Sequence, residues 1–399
     1  MRCFYLLFCL LLVQASSAQK LLKGIVWDEK NTPVAKASVF LNNTSIGTMA
    51  DNEGRFALSL PSGKFDLIVS SIGFITHSQS ITATETEENI TIRLKEKAPE
   101  LEAVIIDPYE KDGWKKWGKW FMDNFLGTSE YSRDCRLVNP EVLKFRNSKK
   151  SNALTVIAIA PLIIENNALG YRISYQMENF RYDFKARYLL YAGFPFFEYM
   201  QGSDRKQRKW EKAREDVYYG SMLQFMRAVY RNRIIEEGFE VRQLKKVPNT
   251  EKQRVRAVYK PKMSRDGLGR LVLPAHNDST DYYNEVIRQD DYMSIVGQTI
   301  LSGDSIAYAI DSVVAGMYFA DYLLVTYKHK TVPVEYKEIF PRSSNAMTSE
   351  INLINNRPVE IFSNGSYFNP EDLLNSGYWG WWEKIGTMLP FDYSPPAKK

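Results

Sequence analysis

Cysteine is nearly missing from this 399-residue chain: there are three, and Cys3 and Cys9 sit in an apolar run at the start. If that run is removed, only Cys135 remains, so no internal disulfide forms and packed cores must supply the stability. Cys135 itself reads as a small buried hydrophobe rather than a nucleophile. Histidine is equally scarce, with only His77, His276 and His329. No His-Glu-x-x-His, no Gly-x-Ser-x-Gly elbow, no Gly-x4-Gly-Lys-Ser/Thr loop and no paired cysteines occur. Those absences argue against a zinc peptidase of that type, a nucleophile-elbow hydrolase and a P-loop enzyme. Zinc-finger spacing and RNA-binding aromatic motifs are also lacking, so no nucleic-acid partner is expected. After the first residues no apolar run can cross a bilayer as a helix; the nearest, 153–164, is interrupted by Pro161. Strong charge of one sign is missing too. The net +5 is mild basicity, compatible with lipid headgroups or acidic glycans and decisive for neither.

What is present begins with an address. Met1-Arg2, the apolar stretch Phe4 to Val13 and the small residues Ser16-Ser17-Ala18 fit a secretory signal peptide cut after Ala18. The stretch is too short to span a membrane, although a retained anchor is the alternative. Cys9 lies in the middle of the run, which argues against a lipoprotein. Export to the periplasm, outer membrane or cell surface is therefore expected.

From Lys20 to about Lys97, short β-rich runs alternate with turn signals: Leu21 to Trp27, Ala37 to Leu41, Arg55 to Leu60, Phe65 to Ser70 and Ile90 to Leu94. Such spacing argues for an antiparallel sandwich. Asp51-Asn-Glu-Gly54 reads as a turn, with Gly54 taking positive φ, rather than as a calcium loop. Gly24 to Asp28, Pro33, Ala37 to Val39, Gly47-Thr48, Asp51-x-x-Gly54-x-Phe56 and Ser71-Ile-Gly73-Phe74 together resemble the carboxypeptidase-regulatory-like domain. That resemblance implies a transthyretin-like seven-stranded β-sandwich of accessory, non-catalytic character, with no zinc site. In secreted proteins of the Bacteroidetes type this module often precedes an outer-membrane barrel, and Leu101 to Ile106 resembles the segment that follows it there. The remaining chain is too short for a 22-stranded transporter and lacks repeated alternating strands with aromatic girdles.

The larger remainder starts with Trp114, Trp117, Phe121, Phe125 and Leu126 at helical spacing, which fits an aromatic-faced helix for a core or a membrane interface. Residues Asp204 to about Glu237 read as one long helix, cationic in its first half at Arg205, Lys206, Arg208, Lys209, Lys212 and Arg214. Cations oppose the helix dipole there, so an anionic partner is the sharp reading and a solvated face the plain one. Strand-like runs follow at 154–158, 170–177, 180–191, 254–259, 305–310, 322–327, 350–354 and 359–362. The expected fold class is a transthyretin-like β-sandwich followed by a larger α+β domain with a mostly antiparallel sheet and one long helix. The expected division is 1–18 leader, 20–97 sandwich, 98–113 linker and 114–395 α+β domain. Asn166-x-x-Leu169-Gly-Tyr, Trp210-x3-Arg214, Tyr219-Gly-Ser221 and Glu237-Gly-Phe239 resemble a secreted Bacteroidetes-type family with the same module first; this carries architecture and no reaction.

Two patches hold chemistry. Pro274-Ala-His276-Asn-Asp278-Ser279-Thr-Asp281 offers an imidazole, a hydroxyl and two carboxylates, or a polar loop before a Tyr282-Tyr283 strand. Tyr378, Trp379, Trp381 and Trp382 offer flat faces for sugar rings, or a packed clamp on the sheet. The pairs Glu371/Asp372 and Glu383/Asp392 are candidate glycosidase carboxylates, whose separation sequence alone does not fix. The expectation is a non-catalytic secreted or envelope protein that binds a glycan, an envelope component or a protein, with peripheral membrane association as an option. No cofactor or metal is expected. A glycan- or peptide-directed hydrolase using C-terminal carboxylates is the alternative.

Overall fold

The computed structural model describes residues 20–61, 63–82, 89–97, 108–259, 264–265, 271–272, 278–368 and 370–396. The expected leader, the 101–106 segment and His276 lie outside these residues.

Seven strands open the chain: β1 Lys20–Asp28, β2 Ser38–Leu41, β3 Gly47–Met49, β4 Arg55–Leu60, β5 Lys64–Ser70, β6 His77–Thr82 and β7 Asn89–Leu94. They form two sheets, β4-β1-β7 and β3-β2-β5-β6. Strand alternation sets the core: in β4, Phe56, Leu58 and Leu60 are buried while Arg55 and Ala57 face out. Leu22, Val26, Val39, Leu67, Val69 and Ile92 join them in one hydrophobic cluster. The turn at Asp51 forms as expected. Asp51 Oδ1 accepts from the backbone N–H groups of Glu53 and Arg55, and Gly54 sits at φ 75°. This is the all-β sandwich that the sequence implied.

The next strands are β8 Cys135–Leu137, β9 Leu143–Ser148, β10 Ala153–Ala158, β11 Leu162–Asn166, β12 Tyr171–Asp183 and β13 Tyr188–Tyr199. They make a six-stranded sheet in which β13 pairs only with β12. Helix α1, Gly113–Phe125, lays its stripe on this sheet: Phe121 and Phe125 are fully buried against Phe180, Tyr175 and Tyr191. Phe121, Phe125 and Leu126 of the stripe are therefore core, while Trp117 is half-buried and Trp114 exposed. A short helix α2, Glu130–Arg133, follows α1.

The long helix expected from 204 is two helices, α3 Asp204–Tyr218 and α4 Met222–Tyr230. Gly220 takes φ 91° between them, and the Ser221 hydroxyl accepts the Gln224 N–H to start α4. The apolar stripe survives the break, since Trp210, Val217, Tyr218, Met222, Phe225 and Val229 are all buried.

Strand β14 Phe239–Pro248 leads into α5 Thr250–Val258, where the sequence suggested a strand. Asn249 Oδ1 caps α5 by accepting the Lys252 N–H, a local bond that outweighs the β preference of Val255 and Val258. Two two-residue strands, β15 Ser264–Arg265 and β16 Leu271–Val272, precede α6 Asp278–Arg288. Tyr282 and Tyr283 thus lie on a helix and not on a strand. The chain continues through β17 Tyr292–Val296, β18 Ala307–Ala309, β19 Val314–Met317, β20 Tyr322–Thr331, α7 Val334–Ile339, β21 Ala346–Leu353, β22 Val359–Phe362, β23 Tyr367–Phe368, β24 Leu373–Gly377 and α8 Tyr378–Trp382. These strands build a five-stranded sheet, β17-β14-β20-β21-β24, and a four-stranded one, β18-β19-β22-β23. Among the described residues, every strand pairing within the sheets after β7 is antiparallel.

The sandwich is docked on the six-stranded sheet through its β2–β3 loop. Asn43 N–H donates to Pro195 O and Phe197 N–H donates to Thr44 O, at 2.9 and 3.0 Å. Thr44 and Phe196 thereby form a parallel bridge. A second segment closes over the loop: Phe391 N–H donates to Asn43 O, and Ser45 N–H to Asp392 Oδ1. Phe40 packs on Phe196 at 5.2 Å, and Lys64 reaches Glu360 at 3.5 Å. Gly47 allows this approach, because a Cβ there would lie 2.5 Å from the Phe196 ring. Gly47→Val should cost about 1–3 kcal/mol by overpacking and raise hydrogen exchange at 43–45. Unchanged exchange there would show that the loop accommodates the added carbons without loosening.

Candidate functional site

The aromatic cluster at 378–382 lies mostly inside. Tyr378 and Trp379 are each 2% exposed and Trp382 is 7% exposed. Trp379 donates its Nε1–H to Gly220 O at 2.8 Å and packs on Phe225, while Trp382 stacks on Tyr378 with 5.4 Å between centroids. These three rings are more than nine-tenths buried against protein, with only edges of Tyr378 and Trp382 reaching a surface hollow, so they offer no open platform for a sugar. Trp381 alone is half-buried at a surface hollow, with its Nε1–H on Thr128 Oγ1 at 2.9 Å. That hollow, about 460 Å³, also contains Asp216, Lys330 and Glu335. Its charges answer one another, Lys330 with Asp216 at 2.6 Å and Arg133 with Glu335 at 3.7 Å.

The second sequence patch is not brought together by the described residues. Asp278 and Asp281 belong to the first turn of α6 in place of the expected loop, and His276 lies outside. Among the described residues no group of three or more His, Cys, Asp or Glu side chains could hold a metal ion. Burial pushes the Cys135 thiol up to about 12, which makes it a poor nucleophile.

A larger cleft, about 880 Å³, runs between β13, the start of α4, β24 and the 383–391 segment. Two sheet edges border it: Leu189 to Gly193 of β13 on one side, Leu373 to Gly377 of β24 on the other. Its rim is apolar, with Tyr188, Leu190, Phe340, Ile354 and Leu374 all exposed. Asn43 of the sandwich loop reaches the same cleft.

Glu383, Lys384, Tyr191 and Tyr367 line the cleft too, set deep among protein atoms yet still partly reached from it. Glu383 Oε1 accepts the Met222 N–H at the first turn of α4, at 2.8 Å, where the helix dipole favours a carboxylate. Tyr191 Oη donates to Glu383 O, and Lys384 Nζ sits 5.7 Å from the Tyr191 ring centre. Burial pushes the Glu383 carboxyl up to about 7, against the Met222 N–H and Lys384, which pull it down. Burial also lowers Lys384, partly offset by Glu383, and raises both phenols.

Of the sequence carboxylates, Glu383 and Glu371 line this cleft. Asp392 instead bonds Ser45 at the sandwich dock, and buried Asp372 accepts from Asn355 Nδ2. Tyr367 belongs to the aromatic C-terminal patch that the sequence offers, whereas Tyr191 and Lys384 stand in no such patch, and 191, 367 and 384 meet only through the fold. The one available signal was a charged pair, Glu383-Lys384, directly after four aromatic residues in five.

The Glu383 titration has a stability consequence. From pH about 4.5, its ordinary value, to about 7, the unfolded chain gives up this proton while the folded chain keeps it. Stability should therefore fall as pH rises through that window, by about 3 kcal/mol for this group, and be fully present below it. Urea midpoints across pH 4–8 should show the decline, and Glu383→Gln should flatten it. An equal decline in both proteins would assign it to other groups.

Residues 22–106 match the model of the CarboxypepD_reg-like domain, so the chain carries that domain, in agreement with the sandwich above. One curated relative is the TonB-dependent receptor P39 of Formosa agariphila, 29% identical over 104 residues. That stretch covers 26% of this chain and only 10% of the receptor. Solved structures overlap weakly. A DUF3823 family protein from Bacteroides ovatus has 13% identity and a TM-score of 0.17, covering 46% of this chain and 83% of that one. A putative membrane-associated protein of unknown function from Bacteroides fragilis has 10% identity and a TM-score of 0.16, covering 86% and 93%. At such scores neither bears on the fold. Among the described residues no helix is long and apolar enough to cross a membrane, which leaves strand-built membrane structures unaddressed.

Proposed function

We propose that this chain, with a CarboxypepD_reg-like domain docked on sheets that enclose a deep cleft, is a non-catalytic binding protein of the bacterial envelope. The observation that carries this reading is the cleft: apolar walls, a few convergent polar groups in its depth and enough volume for a ligand. Its ligand class is a glycan, an envelope component or a protein. In this reading 1–18 is a leader, 20–97 an accessory brace, 98–113 a connection and 114–395 the binding unit. The resemblance of the first quarter to an envelope receptor supports the location.

The test is a binding screen of glycans, lipids and envelope proteins on the purified chain, repeated on Leu190→Asp. Leu190 is exposed on the rim, so this change should remove binding while leaving the melt within a few degrees. Full binding by the variant would place the ligand site elsewhere.

One observation favours a second reading, a hydrolase acting on glycans or peptides: the Glu383 carboxyl, pushed up to about 7, has the protonation a general acid needs near neutral pH. Turnover of chromogenic glycosides or peptides that disappears in Glu383→Gln would establish it.

A further inference from the structure

The free edge of β13 has a feature that goes beyond a generic cleft. Its pairing with β12 uses one side of the strand. On the other side, Pro195 O and Phe197 N–H bond the Asn43-Thr44 loop of the sandwich. That edge therefore already accepts polypeptide added in parallel. Along a strand the N–H and C=O of alternate residues face the same side. Gly193, Tyr191 and Leu189 accordingly turn their backbone groups the way Pro195 and Phe197 do. All three line the cleft, and among the described residues no backbone bond from another segment takes their outward groups. Gly193 to Leu189 is about 17 Å of strand at 3.3–3.4 Å per residue.

We infer that the cleft takes an extended polypeptide segment of a protein partner, added as a strand along β13 in line with the Asn43-Thr44 bridge. This rests on reading the cleft as the binding site. Strand addition supplies affinity through main-chain hydrogen bonds and specificity through alternate side chains. One face of such a strand would lie beside exposed Tyr188 and Leu190; the other would look toward Tyr191 and Glu383. Apolar side chains on the first face suit that rim, and a hydroxyl or amine donor on the second suits the carboxyl. The edge is continuous with an existing backbone interface, which a polypeptide can extend through main-chain hydrogen bonds and a glycan cannot, so a peptide is favoured over a glycan.

The probe is a display library of random decapeptides screened on the full chain, followed by synthetic copies of the selected peptides. N-methylation at alternate residues removes backbone donors of one parity only. One parity should weaken binding about tenfold, roughly one lost hydrogen bond, and the other by much less. Leu189→Pro removes an outward N–H at an edge that already holds Pro195, and should weaken binding similarly with its fold kept. The inference is overturned if no peptide is selected, if both parities respond alike, or if folded Leu189→Pro binds as before. Should Leu189→Pro fail to fold, the parity result decides. A glycan or lipid that binds and is lost in Leu190→Asp, with no peptide selected, ends this inference and keeps the cleft. If no glycan, lipid or peptide binding depends on Leu190, both readings fail.

Discussion

Trp382→Ala should unfold much of the stability margin, a loss of about 3–5 kcal/mol. The ring is 7% exposed, stacked on Tyr378 and met edge-on by Tyr131 at 6.0 Å. Small domains hold only about 5–15 kcal/mol in all, so the melting temperature should drop steeply. Trp381→Ala, at a half-buried ring, should cost clearly less, chiefly the Thr128 hydrogen bond and one side of its packing. Thermal melts of the two variants measure the contrast. Equal small losses would mean that Trp382 is a surface ring after all, and would restore the sugar-platform reading of this cluster.

Arg227→Leu should be comparably costly, about 3–5 kcal/mol. Arg227 is buried in α4 and, among the described residues, has no carboxylate partner; its guanidinium donates to Asn364 O, Phe391 O and Tyr393 O at 2.8–3.0 Å. Removing it leaves three carbonyls short of a donor, each at about 1–3 kcal/mol when buried, with partial relief from relaxation. The loss should spread, because Phe391 N–H also holds Asn43 O. Hydrogen exchange at 43–45 and 391–393 should rise together in this variant. A rise confined to 391–393 would show that the sandwich dock stands without that segment.

What could be read from the chain follows physical range. Strand alternation and turn chemistry are local, so the sandwich and the Asp51 turn were legible. So was the α1 stripe, since Phe121 and Phe125 repeat at four-residue spacing. The break between α3 and α4 was written in Gly220-Ser221, but the unbroken apolar stripe across it masked the signal. At α5, β-branched valines pointed to a strand while the Asn249 cap decided for a helix. The cleft was least legible: it joins residues from β13, α4 and the 383–391 segment, whose proximity depends on tertiary packing. For the same reason the exposed-platform reading of Tyr378, Trp379 and Trp382 could not be settled by their order, as aromatic residues read alike whether they face solvent or core.

The clasp between Ser45 and Asp392 spans 347 positions of chain. Closing so large a loop is slow to reach by chance, though only modestly more expensive in entropy than closing a shorter one. The sandwich can complete its own hydrogen bonding early, but its seat is finished only when residues near 391 arrive to cover it. Assembly of this molecule should therefore show a fast phase within each layer and a later one in which the first-made part is locked into place.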